Sequence, residues 1–532
     1  MTQPTKIIDL FSGPGGLGEG FSANKKFKIA ISIEKEPSAH RTLLLRAFYR
    51  QFDVPPIEYY QFLKGNLGSK PEDELYKLPK FKKEIEAARK EALCLELGKD
   101  NDTIQKEIDA AIGKDDCILI GGPPCQAYSL VGRARNSSIT NYKAEDDHRN
   151  FLYLEYLKVI ARYQPKVFVM ENVKGMLSAK INGQPIFDQI KADLEDPSKT
   201  TNELTFNGRK KQKYRIVPVI KSSIKDDLLS KDVDHFLPKD YIIKSENYGI
   251  PQKRHRVILL GLREDIAEQW SNNLMLKPCK DPVSIKDVID DLPKLRSGLS
   301  KLENTADNWT KTIQDGAEEI HIELSNTEFK PLALAMKEIS LKINSPEIEQ
   351  GLNLGLKISN TTKILENNTQ LKKWLIKEKM DGYITNHQTR GHLAKDLNRY
   401  LFCSTWAQLA TKLKWSNPFP KSRDYPNILK PNHKNFDTGK FADRFRCQVS
   451  QSPATTITSH ISKDGHYYIH YDPLQCRSLT VREAARIQTF PDDYFFVGNR
   501  TQQYVQVGNA VPPYLANKIS EIVSKILEGI KT

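Results

Sequence analysis

Cys125 ends the stretch Gly121-Gly122-Pro123-Pro124-Cys125, directly after the apolar run Cys117 to Ile120. Such a run reads as a buried parallel strand, and the turn just past its carboxyl end is where open α/β sheets bind ligands. Two prolines stiffen that turn and hold the thiol in one direction. A lone cysteine is more often a small buried hydrophobe, but a rigid turn at a sheet's crevice argues for a nucleophile. Glu171 and Asn172 close a second run, "KVFVMEN", and should face the same crevice. A carboxyl buried there is expected to hold its proton more tightly than usual and to be able to donate it. Taken alone, Glu171 would equally suit the start of a helix. In "YGIPQKRHRVILLG", Arg254 and Arg256 alternate at a strand entrance and project to one side. Two guanidiniums there suit a carbonyl oxygen, a phosphate or Glu171 itself; without the other groups they would read as a solvated strand end. The set amounts to an acid beside a nucleophile.

A second constellation opens the chain. "IIDLFSGPGGLGEGF", residues 7 to 21, satisfies the dinucleotide fingerprint G-x-G-x-x-G with Gly13, Gly15 and Gly18. It equally satisfies F-x-G-x-G-G, with Phe11, Gly13, Gly15 and Gly16, a loop that binds S-adenosylmethionine. Both loops use glycines to turn sharply after a strand and approach a nucleoside closely. Glu34, at the end of "KIAISIEKE", is placed to take ribose hydroxyls in either case. A bare glycine turn is the plain alternative, but the flanking strand, the helix-like "SAHRTLLLRAFYRQF" and the acid favour a nucleoside site. These residues leave the cofactor open.

The elements that must position these groups alternate as in a doubly wound α/β domain. The candidate strands are "KIIDLF", "KIAISIE", "DCILIGG", "KVFVMEN", "DYIIKSE" and "HRVILLGL". A charged segment from about 69 to 115, containing "FKKEIEAARKEALCLELG", reads as a surface helical insertion. After about Leu262 the alternation fades, and residues 271 to 445 read as a loop-rich domain with a small core of its own. Patterning returns with the capped helix "SLTVREAARIQTF" and the terminal helix "PPYLANKISEIVSKILEGI". At 532 residues, 39% hydrophobic and 27% charged, the chain suits a soluble protein of two domains. No apolar run approaches a membrane span and no signal peptide is expected. The seven cysteines form no C-x-x-C pair, so neither a disulfide framework nor a metal site is expected, and a reducing cytoplasm is. A net charge of +14 makes nucleic acid a partner worth seeking.

Six motifs in order, "DLFSGPGGLGEGF", "GGPPCQAYSLVGR", "ENVKGML", "QKRHRV", "RSLTVREAARIQTFPDDY" and "QVGNAVPP", resemble those of the DNA cytosine-5 methyltransferases. The resemblance covers most of the chain outside the charged insertion and residues 270 to 445. It implies a Rossmann-like S-adenosylmethionine-dependent fold, and so favours that cofactor, released as S-adenosylhomocysteine, over a nicotinamide. It also implies Cys125 as nucleophile, Glu171 as acid, Arg256 at the base oxygen and Arg254 in support. Phe11, Gly13, Gly15, Gly16, Leu17, Glu34, Pro124, Leu152 and Asn509 match cofactor contacts. An aspartate usually follows the third strand to meet the adenine; here "LKGNLGS" offers Asn66. "SLVGRARNSSITNYKAEDDHRN" matches a loop that closes on DNA, making Gln126, Ser129, Arg133 and Arg135 expected DNA contacts.

By the same resemblance, residues 1–270 and 446–532 form the catalytic domain, with 271–445 inserted to recognise the target. Double-stranded DNA is the expected partner. A restriction endonuclease cutting the same site is implied, and so are a monomeric state and a bacterial cytoplasmic, nucleoid-associated location. An RNA cytosine methyltransferase is the nearest alternative, but it would carry a smaller recognition domain. A catalytically inactive DNA-binding relative is the other, and the presence of Cys125 and Glu171 speaks against it.

Overall fold

The structure is a computed structural model that describes residues 3–68, 71–124, 148–181, 184–201, 203–221, 236–271, 273–345, 352–356, 358–360, 369–432, 436 and 444–529. Eight strands form the central sheet: β1 Thr5–Leu10, β2 Phe27–Glu34, β3 Ala92–Cys94, β4 Cys117–Gly121, β5 Val167–Val173, β6 Tyr214–Val217, β7 Ile242–Lys244 and β8 His255–Arg263. Their order is β3-β2-β1-β4-β5-β8-β6, with β7 also paired to β8. The first five run parallel, while β8 is antiparallel to β5, β6 and β7. The six strands expected from the sequence are all present.

The inner strands are largely apolar because both sheet faces are covered, with Asp9, Glu171 and Asn172 as the polar exceptions toward their carboxyl ends. Alternate residues feed opposite cores: Ile7, Ile118 and Ile120 one, Ile8, Leu10 and Leu119 the other. On the first face lie helix α1 (Gly16–Ser22), through Leu17 and Phe21, and residues of the C-terminal arm. Helix α2 (Pro37–Arg50) follows β2, and α3 (Lys82–Glu91) packs against it. The second face is covered by α4 (Asn101–Ile112) and α5 (His148–Tyr163). After β1 the chain winds outward to β2 and β3, then crosses back to β4 and β5. The carboxyl ends of β1 and β4 therefore flank the point where winding reverses, the natural place for a crevice.

Two expectations need correction. The charged segment is not simply a surface helix. Residues 92–94 leave α3 and pair with Ser32, Ile33 and Glu34 as the sheet's edge strand, and α4 makes the crossover to β4. Nor is the inserted region simply loop-rich. Helices α6 (Ala306–Leu324), α7 (Lys330–Lys342) and α8 (Ala394–Leu413) pack together around Trp309, Ile313, Met336, Leu401 and Phe402. The apolar spacing of Trp309, Ile313, Ala317, Ile320 and Leu324 is that of an amphipathic helix. Part of the same region, including Leu276, Ile285, Ile289 and Leu375, is buried in the sheet's core.

The C-terminal arm carries α9 (Val481–Ile487), α10 (Arg500–Asn509) and α11 (Pro513–Leu527). Helix α9 begins with a reciprocal cap: Thr480 Oγ1 accepts the Glu483 N–H at 3.2 Å, and the Glu483 carboxylate accepts that of Thr480 at 2.7 Å. Helix α11 packs along α1. A methyl group on Gly16 would lie 2.3 Å from the Val511 carbonyl oxygen, so only glycine lets these backbones meet. No helix among the described residues is long and apolar enough to cross a membrane.

Candidate active site

One cleft of about 660 Å³ opens at the carboxyl ends of β1 and β4. At one end the chain turns sharply out of β1: Phe11, Gly13 and Gly15 all have positive φ (54°, 56° and 95°). The turn is tied to β2, because the Gly13 N–H donates to Glu34 Oε2 at 2.7 Å while Glu34 Oε1 accepts the Glu36 N–H at 2.8 Å. Burial pushes the Glu34 carboxyl above the ordinary carboxylate range. The Tyr494 hydroxyl donates to the Pro14 carbonyl, holding the loop from the C-terminal arm.

Below the loop lies Asp9, fully buried and bordering the cleft. The Ser12 hydroxyl beside it donates to the Asp9 main-chain carbonyl at 2.9 Å, and neither carboxylate oxygen has a partner of its own. Burial pushes this carboxyl up to about 7, against the opposing pull of Arg50, which is itself paired with Glu91. Phe11, Gly13, Gly16, Leu17 and Glu34 border the same end, with Leu152 from α5 and Asn509 from α10. Gly15 caps α1 just behind them.

Asn66 does not reach the cleft. It is exposed, just beyond the short helix Ile57–Leu63, and the strand that precedes the wall is β3. The residues after β3, Leu95, Glu96 and Leu97, border the cleft instead. With only three residues beside a charged helix, β3 is too short for any period to mark this wall in the sequence.

The other end is built on β4, β5 and β8. Pro123 and Pro124 border it, and the buried Asn172 steadies their turn by donating from Nδ2 to the Pro123 carbonyl at 3.2 Å. Glu171 lies opposite Ile258 in the β5–β8 ladder, so Arg256, two residues away on the same face, reaches it diagonally. Arg256 Nε meets Glu171 Oε1 at 2.9 Å, both side chains about 15% exposed (16% and 14%). The second carboxylate oxygen faces Gly122, where a methyl group would lie 3.1 Å from it. Arg254 borders the cleft too, but is buried and turned to the arm, with Nη1 donating to the carbonyls of Ile457 (2.9 Å) and Gly508 (3.3 Å). Burial and the neighbouring Arg256 push its guanidinium down to about 9. The guanidinium is thus bonded to the arm while still feeling the Glu171 charge.

Cys125, Gln126, Ser129, Arg133 and Arg135 lie outside the described residues. Thr458 and Ser459 form a wall that the sequence reading missed, since no charge or spacing marks them. Among the described residues, no group of three or more His, Cys, Asp or Glu side chains could hold a metal ion.

The comparisons with known proteins agree with this arrangement. A sequence model of the family described as C-5 cytosine-specific DNA methylase matches residues 81–197 and 231–525, well over half the chain. The type II methyltransferase M.Bpa9945I of Bacillus paralicheniformis is 31% identical over 98% of this chain and 99% of its own length. The DNA (cytosine-5-)-methyltransferase M.ApeKI of Aeropyrum pernix is 24% identical, covering 98% of this chain and 99% of that one. A crystal structure of a prophage-encoded candidate DNA modification methyltransferase from E. coli shares the fold, with TM-score 0.53 at 18% identity over 98% of this chain and 99% of the other. With a glycine loop and an arginine-paired glutamate sharing one cleft at a sheet's switch point, the chain belongs to the C-5 cytosine-specific DNA methylases.

Proposed function

We propose that the cleft holds S-adenosylmethionine at its Glu34 end and a cytosine swung out of duplex DNA at its Glu171 end. The observation that carries this reading is the continuity of the cleft, which joins the glycine loop to the Glu171–Arg256 pair beside Pro124. The residues present fit a cationic nucleoside. Asp9 offers a buried carboxylate with no partner of its own, and Glu34 spends one oxygen on each of two backbone N–H groups, leaving lone pairs for ribose hydroxyls. Leu95, Glu96 and Leu97 close the adenine side, with Leu152 and Asn509 completing the wall.

S-adenosylmethionine, when bound, supplies an electrophilic methyl group on sulfur. The protein's task is to make cytosine C5 nucleophilic. Addition of the Cys125 thiolate to C6 does so by breaking the ring's aromaticity. Glu171 delivers a proton to N3 as that addition proceeds, and Arg256, whose guanidinium has five donors, steers the base oxygen. Asn172 keeps the diproline turn, and with it the start of the Cys125 segment, in register with Glu171. Once C5 carries the methyl, loss of its proton to water and departure of Cys125 as the thiolate restore the aromatic ring, and N3 returns its proton to Glu171. The base must leave the duplex first, at a cost of roughly a few kcal/mol.

The net charge of +14 favours DNA, and helices α6 to α8 give the inserted region the bulk to read a site. The names of the relatives support a restriction-modification role. A partner endonuclease cutting the same site, a monomeric enzyme and action in the bacterial cytoplasm belong to the same proposal. Bisulfite sequencing of DNA from a host expressing the protein tests this directly. Methylated cytosines confined to one short recurring sequence are expected; an unmethylated genome with soluble, folded protein present would overturn the reading.

A further inference from the structure

The backbone of Ile457 is gripped at both ends by buried side chains. Gln252 Oε1 accepts its N–H at 3.1 Å, and Arg254 Nη1 donates to its carbonyl at 2.9 Å. Both grips continue to the turn that presents Asn509 to the cleft. Gln252 Nε2 donates to Gln488 Oε1 at 2.6 Å, and Gln488 Nε2 donates to the carbonyls of Val507 (2.8 Å) and Ala510 (3.4 Å). Arg254 reaches the Gly508 carbonyl between them. On the far side, Arg390 of the inserted region holds the same segment, from Nη2 to the Ile461 carbonyl at 2.7 Å and from Nη1 to that of Lys463 at 3.1 Å. Thr458 and Ser459, between the two anchorages, line the cleft. Gln252 and Gln488 do not line it, and both are fully buried.

Gln488 accepts from Gln252 and donates to the 507–510 turn, so the relay has one direction, while Gln252 Nε2 keeps a second acceptor in the Ile487 carbonyl at 3.1 Å. Removing the Gln488 amide takes a donor from the Val507 and Ala510 carbonyls, and removing that of Gln252 leaves the buried Ile457 N–H without its acceptor. We propose that Gln252 and Gln488 are positioning residues that lock the cofactor wall at residues 507 to 510 to the Ile457 segment anchored in the inserted region. The two walls of the cleft are then set together, and ligands on either side favour one another reciprocally. This rests on the reading that the cleft binds S-adenosylmethionine.

The test uses the full-length enzyme, with S-adenosylhomocysteine as the binding probe and plasmid from a host lacking cytosine methylation as the DNA. Gln488→Met and Gln252→Met keep side-chain length and remove the amide. Each is expected to raise Kd for S-adenosylhomocysteine and KM for S-adenosylmethionine about tenfold, the scale of one or two lost buried hydrogen bonds. The rate at saturating cofactor should stay within about twofold, whereas general damage to the fold would lower kcat. The double variant should bind no worse than the weaker single one, because one relay is broken once. Unchanged cofactor binding, a fall in kcat alone, or fully additive losses would each overturn the proposal. Hydrogen exchange on the wild-type enzyme tests it without any variant. S-adenosylhomocysteine should protect peptides containing Ile457 and those spanning 507 to 510 together, and protection of the second alone overturns it. A wild-type enzyme that binds no S-adenosylhomocysteine overturns the cofactor reading, and this inference with it.

Discussion

Under the proposed mechanism, single side chains are expected to have separable jobs. Cys125→Ala would remove the proposed nucleophile but neither the charge nor the recognition surface. Methyl transfer should vanish while DNA binding persists, and the denaturation-resistant adduct with DNA containing 5-fluorocytosine should be absent. An active Cys125→Ala enzyme would end the covalent mechanism. Glu171→Gln keeps the shape beside Arg256 but has no proton to give. Activity should fall about 10²-fold or more, the usual contribution of a general acid, with calorimetry showing cofactor affinity nearly unchanged. Asp9 behaves differently, because its carboxyl is raised to about 7 from 3.8. Between those values the folded protein holds a proton that the unfolded chain releases, so stability falls as pH rises from about 4 to 7, then levels off. Asp9→Asn mimics the protonated form and removes that slope. Wild type should lose up to about 4 kcal/mol against the variant over this window, measured by urea unfolding at several pH values. Parallel curves would show that Asp9 is not the titrating group. Glu171 and Arg256 border the cleft, as the apolar runs that carry them imply, while Cys125 lies outside the described residues. Asp9 was legible only as part of the loop motif; that its carboxylate lacks a partner is a fact of packing.

Among the elements, the long buried strands and the short β7 were legible, and β3 and β6 were not. β4, β5 and β8 each carry a continuous apolar run, which the covered faces of the sheet require, and β1 carries one broken only by Asp9. β3 has three residues, too few for any period to show, and it follows a helix rich in charge. Leu95, Glu96 and Leu97, the proposed adenine wall, directly follow β3, so a sequence reading without that strand reaches Asn66 instead. The helices of the inserted region were legible in principle, through the spacing of Trp309 to Leu324, and were obscured by the Pro- and Asn-rich stretches around them. Close packing between elements was not legible at all. Nothing near Gly16 says that a carbonyl from residue 511 rests on it. Gly16→Ala should therefore destabilise the protein by about 1–3 kcal/mol through overpacking, and weaken cofactor binding as α1 moves away. A melting temperature equal to wild type would mean that α1 and α11 have room to spare.

For the molecule as a whole, catalysis and target choice are expected to reside in different stretches of chain. The cleft draws its walls from residues before 260 and after 457, while α6 to α8 build a separate core. Exchanging residues 270 to 445 for the corresponding segment of a relative with another specificity should change the methylated sequence and keep the product, 5-methylcytosine. Because Leu276, Ile285 and Leu375 are buried in the sheet's core, exchanges that preserve those packing positions should fold best. A folded chimaera that methylates the original site, read by bisulfite sequencing, would place recognition elsewhere, with the segment near Arg133 as the next candidate.

The packing of α1 against α11 also has a meaning in time. Val511 seats on Gly16 and Tyr494 on Pro14, so the glycine loop lacks its back wall until nearly five hundred further residues have been made. At roughly 5–20 residues per second that wait is on the order of half a minute to two minutes. Through all of it a nascent chain has the glycine loop without the surface that backs it, so the two ends of the chain must meet before that end of the cleft is complete.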